Sequence, residues 1–219
     1  MGEMRWALAL FLALGGLAPS LHAQATIEGT VQLPAPSTTY GFNQRYSTGA
    51  EVAPAPTNPP AAVVYLEGDF GSIKKPNAPA PAVMTQKNMA FAPDLLAVLV
   101  GGAVEFPNQD DMYHNVFSYS RAKRFDLGRY RKEEKAVKVT FDKPGVVNIH
   151  CEIHDAMRAT VLVLETPFFV KTDTAGRYRL EHLPAGHYVL KAWVDGNDVR
   201  QRPVELKAGV MQRVDFPAR

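Results

Sequence analysis

Apolar and polar residues alternate in short runs along most of this chain, and no 3.6-residue period persists long enough to make a helix of useful length. Residues 26–33 (Thr-Ile-Glu-Gly-Thr-Val-Gln-Leu) and 62–66 (Ala-Val-Val-Tyr-Leu) read as strands from their β-branched content. Further strands are expected at 83–86, 95–100, 103–107, 116–119, 136–141, 146–149 and 159–164, with Gly101-Gly102 as the turn between the second and third of these. From Phe168 to Leu190 the alternation continues around Asp173–Gly176 and Pro184–Gly186, a pattern of hairpins. Short strands without helices predict an all-β chain built as sandwiches.

Composition adds two features. The chain has 17 Pro and 16 Gly among 219 residues, which suits many turns, and its formal charge of +2 gives no reason to expect a nucleic-acid partner. Two segments are too rich in Pro and small polar residues to bury much apolar surface. One runs between the first two strands, with Pro54-Ala-Pro56 and Asn58-Pro-Pro60, and reads as a long surface loop carrying Tyr40, Phe42 and Tyr46. The other runs from Lys74 to Pro81. At the start, Arg5 precedes an apolar run from Trp6 to Ala18, and Leu21-His22-Ala23 offers a small residue for cleavage. That run is shorter than the about 20 residues a membrane helix needs. Residues 1–23 are therefore expected to be a signal peptide, leaving a mature periplasmic chain with no membrane span.

Export places the chain where cysteines usually pair, yet Cys151 is the only one. It stands in Cys151-Glu-Ile-His154-Asp-Ala-Met157, and His114 lies upstream. Thiolate, two imidazoles and a thioether suit copper, because soft sulfur favours the cuprous ion and imidazole accepts both oxidation states. All four can face one ion if Cys151 ends a strand, His154 sits on a tight loop and Met157 opens the next strand. His150 adjoins Cys151 but should point to the opposite face of its strand. His182 and His187, at hairpin positions, read as solvated side chains.

These residues carry a resemblance to the cupredoxins, and the C-x2-H-x2-M loop is most similar to that of amicyanin. Phe91-Ala-Pro93, Gly101 to Asn108, His114-Asn-Val116 and Phe141-Asp-Lys-Pro144-Gly145 agree with it. The chain also resembles periplasmic proteins labelled methylamine-utilisation proteins, a label of kinship rather than activity. The resemblance implies a Greek-key β-sandwich over residues 82–165 holding one type 1 copper on His114, Cys151, His154 and Met157. It further implies that Asn115 helps join the ligand loops and turns a backbone N–H towards the thiolate. Residues 166–219 resemble the carboxypeptidase regulatory-like domain, implying a smaller transthyretin-like β-sandwich without catalysis. That stretch is short for such a fold, and strands within residues 24–81 resemble its first two. The copper domain is thus expected to be inserted into a split sandwich.

A metal filled by four protein ligands leaves no open position for substrate, unlike a catalytic site. The expected function is one-electron transfer with redox partner proteins, a dehydrogenase or a cytochrome. Electrons would leave through His154, flanked by apolar Ile153, Ala156 and Met157. The alternatives are non-redox copper delivery, or an envelope binding module in which the sandwich does the work. A nucleophilic Cys151 would leave the copper-like order of ligands unexplained. The basic run Arg121, Lys123, Arg124, Arg129, Arg131 and Lys132 reads either as a solvated face or as a patch that steers an acidic partner.

Overall fold

In a computed structural model of the chain the described residues are 24–35, 59–71, 80–134 and 136–218. The expected signal peptide, the aromatic residues Tyr40, Phe42 and Tyr46, and most of both Pro-rich segments lie outside them.

The described residues contain strands and no helix. Two precede the Pro-rich connector, β1 (Ala25–Thr30) and β2 (Val63–Glu67). Ten follow it: β3 (Ala82–Val83), β4 (Thr85–Lys87), β5 (Ala90–Ala92), β6 (Leu95–Leu99), β7 (Ala103–Phe106), β8 (His114–Tyr119), β9 (Arg124–Tyr130), β10 (Val137–Thr140), β11 (Gly145–His150) and β12 (Arg158–Leu164). The last five are β13 (Phe169–Lys171), β14 (Arg177–Leu183), β15 (Gly186–Trp193), β16 (Val199–Leu206) and β17 (Met211–Arg213).

The central strands form a five-stranded sheet, β6-β12-β11-β8-β9, a three-stranded sheet, β10-β7-β3, and the β4-β5 hairpin. Their inward positions make one core that includes Met84, Phe91, Phe106, Phe141, Ile149 and Val161, each 0–1 % exposed. Burying a side chain of this kind contributes about 1.5–3 kcal/mol relative to leaving it exposed. The single strand expected at 83–86 is broken at the buried Met84, so β3 pairs with β7 while β4 folds back on β5.

The outer strands pair across the whole chain. β1 lies between β14, antiparallel, and β17, parallel. β2 lies between β13 and β15, with β16 completing that sheet. Ile27, Leu66, Leu180, Leu183, Leu190 and Phe216 belong to the core between these sheets. A third cluster joins the two groups, with Leu95, Leu162 and Leu164 of the central strands packed with Val63 and Trp193 of the outer ones. Lys171 adds a polar tie by donating from Nζ to the Leu95 carbonyl at 3.2 Å.

Candidate metal centre

The site sits at one end of the five-stranded sheet, where two stretches of chain meet. β11 ends at His150, so Cys151 follows the strand directly and the chain turns back to enter β12 just after Met157. The loop between is closed by its own backbone: Met157 N–H donates to the His154 carbonyl at 2.9 Å, and Cys151 N–H donates to the Met157 carbonyl at 3.3 Å. His114 is the first residue of β8, which pairs with β11. Asn115 ties the two ligand stretches together, its Oδ1 accepting from Glu152 N–H at 2.7 Å.

This framework brings His114, Cys151 and His154 together, with one ligand atom of each lying within 4.8 Å of the others. The two Nδ1 atoms are 3.0 Å apart, and His154 Nδ1 is 3.9 Å from Cys151 Sγ. His114 is fully buried and Cys151 is 3 % exposed. Met157 is buried in the same core cluster as Cys151, and therefore does not contribute to a surface patch beside His154 as the sequence suggested. His150 lies on the outer face, its ring 5.6 Å from that of Phe117, and is not part of the group. His182 bonds Gln24 at the surface, and His187 is exposed.

The electrostatics suit a cation. Burial pushes the Cys151 thiol up, but the His114 side chain and the backbone N–H groups of Asn115, His154 and Ile153 outweigh it and bring the pKa from 9.0 to about 6. Burial likewise disfavours charge on His114, yet Cys151 and Asp110 together raise its pKa above the usual imidazole value. His114 Nε2 lies 2.9 Å from Asp110 Oδ2. An ionised carboxylate can only accept there, so Nε2 carries a proton and Nδ1 is the nitrogen on the side of His154. A low-pKa thiol and two ring nitrogens brought together at a largely buried position fit a metal that takes sulfur and imidazole together.

Residues 80–164 match the family model of copper binding proteins of the plastocyanin/azurin family. This segment is a cupredoxin domain. The metal the cupredoxin domain takes is copper, in keeping with its donors. Among solved structures, part of the chain is similar to the copper-containing nitrite reductase NirK from Thermus scotoductus SA-01, at 25 % identity over 44 % of this chain and 25 % of that one, with a TM-score of 0.38. A reduced Cu(I) form of an amicyanin variant at pH 4 is similar at 28 % identity over 41 % of this chain and 87 % of that one, with a TM-score of 0.36. A second amicyanin variant with Cu(I) is 24 % identical over 46 % and 98 %, again with a TM-score of 0.36. The chain thus spans a quarter of the length of the nitrite reductase. No curated protein matches it. The strands that flank the cupredoxin domain lie outside the family match.

Two features near the site were not anticipated from sequence. Asp110, four residues before His114, braces the ligand from behind; the available signal was a carboxylate within one turn of chain from a metal-binding histidine. The basic run also resolves into pairs, because β9 places its two ends in different surroundings. Arg129 pairs with Glu152 at 2.7 Å, Lys132 with Asp111, and Arg131 lies over the Tyr113 ring at 4.4 Å. Near the other end Lys123 pairs with Asp142 at 2.9 Å.

Proposed function

We propose that the chain is a periplasmic one-electron carrier, with a type 1 copper held by His114, Cys151, His154 and Met157. The observation that carries this reading is the buried convergence of the two Nδ1 atoms on a cysteine whose pKa lies near 6. Such a donor set, with a weak axial Met, is the blue-copper electron-transfer arrangement. The copper supplies a one-electron couple; the chain supplies ligands whose positions are set by strand ends and by backbone bonds, so they need move little between oxidation states. With four ligands from the protein, no position is reserved for substrate, and the chain is read as a carrier and not an enzyme.

His154 is half-buried, and beside it Ile153 is 40 % exposed. Met112 and Tyr113, next to His114 in the chain, are also exposed. A small apolar surface of this kind suits brief encounters with redox partners, a dehydrogenase or a cytochrome. Residues 1–23 act as a cleaved signal peptide in this reading. The strands before and after the copper domain, within residues 24–81 and 166–219, form one split transthyretin-like sandwich, supported by the pairing of β1 and β2 with β13, β14, β15 and β17.

The test is purification with copper, followed by visible spectroscopy and voltammetry of the wild type and of Cys151→Ser. The reading requires an intense thiolate-to-copper band and reversible reduction, both lost in the folded variant. Copper taken up without that band, or released on reduction, would instead mark a delivery protein.

A further inference from the structure

The β4-β5 hairpin closes through Asn88 and Met89, both in the left-handed region with φ of 53° and 55°. Two such residues in succession make the tight turn that suits a two-residue hairpin, but Gly, Asn and Asp are its usual occupants. Here a methionine adopts it. The conformation aims two consecutive N–H groups at one carboxylate: Asn88 donates to Asp110 Oδ1 at 2.7 Å and Met89 to Oδ2 at 3.0 Å. Consecutive backbone N–H groups arranged in this way form an anion-holding concavity.

Asp110 is fixed from its other side as well. Its N–H donates to Asn108 Oδ1 at 2.9 Å, and Asn108 Nδ2 donates to the carbonyls of Met112 and Tyr130, each at 2.9 Å. Its side chain is 12 % exposed, and Oδ2 also accepts from His114 Nε2 at 2.9 Å. A turn remote in sequence from the ligands thus holds the carboxylate that holds the imidazole.

We propose that Asp110 is a positioning residue for the copper, locking His114 in its Nε2–H form with Nδ1 turned to the metal and biasing the site towards Cu(II). The inference rests on the copper-carrier reading above. A carboxylate accepting from the remote nitrogen makes the imidazole a stronger donor, and such partners change metal affinity by about 10–100-fold. The added negative charge favours the more highly charged ion. A carboxylate that merely stapled the hairpin would hold the fold together without altering the relative affinity for the two oxidation states.

The decisive comparison is the reduction potential and copper hyperfine splitting of wild type, Asp110→Asn and Asp110→Glu. Asparagine keeps an oxygen for His114 but loses the charge; its ratio of Cu(II) to Cu(I) affinity should fall at least ~10-fold, a rise of ~59 mV for a one-electron couple. Glutamate should recover most of that shift. An asparagine variant with the wild-type potential, or equal shifts in both variants, overturns the proposal. Should Asp110→Asn not fold, nitrogen NMR of the reduced wild type decides: His114 is expected to carry a slowly exchanging proton on Nε2, and a proton on Nδ1 overturns the assignment. A wild type that takes up copper without the thiolate band defeats the carrier reading itself, a result separable from a coloured wild type whose potential ignores residue 110.

Discussion

Without copper, Cys151 and His114 face each other as a titrating pair, and their protonation sets how the metal enters. Burial alone would keep the thiol protonated; the His114 side chain and the N–H groups of Asn115, His154 and Ile153 lower its pKa from 9.0 to about 6. At pH 7 a group with that value is about nine-tenths ionised, against about one part in a hundred for an ordinary thiol. His114 moves the other way, its desolvation outweighed by Cys151 and Asp110. Copper has to displace whatever protons these two groups hold, so its uptake is expected to weaken as pH falls. The folded thiol has the lower pKa, so its contribution to stability is complete above about pH 9 and is lost as pH falls towards about 6. The measurement is the ultraviolet absorbance of the thiolate in copper-free protein against pH, with chemical denaturation at the same values. A midpoint near 6 is expected, moving upward in His114→Phe, which lacks the principal partner of the sulfur. A wild-type midpoint near 9, or one indifferent to residue 114, would refute the reasoning.

Phe141→Ala empties a fully buried position of the copper-domain core and should cost about 3–5 kcal/mol, read from urea denaturation with copper bound. Gly29→Ala would place a Cβ 1.8 Å from the Val214 carbonyl oxygen, so hydrogen exchange in β1 and β17 should accelerate while the copper spectrum stays unchanged. Trp193→Ala removes the largest side chain of the cluster joining the two groups of strands, and should speed proteolysis between them without bleaching the copper. Reversing charge at Lys123, Arg124 and Arg131 should weaken the salt dependence of association with an acidic redox partner, measured by stopped flow; unchanged dependence would leave these residues as a solvated face.

Much of this architecture was legible because buried strands announce themselves. β6, β11 and β12 carry β-branched or aliphatic residues at the positions that point inward, and the order His114, Cys151, His154, Met157 could be read without coordinates. β9 could not. It is the edge of its sheet, largely exposed along its length, so little selects for alternation and its arginines pass for a charged loop. The β4-β5 hairpin was hidden for a different reason: Asn-Met is not among the usual turn pairs, and its conformation is upheld by Asp110, a partner 21 residues from Met89 that no local pattern discloses. Likewise the raised basicity of His114 and the acidity of Cys151 arise from groups brought near only by folding. Residue type suggested the metal; spatial convergence governs the protonation.

The pairing of β1 with strands made much later also bears on how the chain assembles in time. Thr30 bonds Asp215 across 185 residues, and β1 finds its parallel neighbour only at Met211–Arg213. In the exported chain of the proposed reading the whole copper domain emerges before those partners do, so the central sandwich can settle first while β1 and β2 wait with open edges. Long-range closure of this sort is slow, and an unpaired edge invites association with other chains meanwhile. Maturation of this protein should accordingly be limited by completion of its outer sheets, well after the ligands for copper have come together.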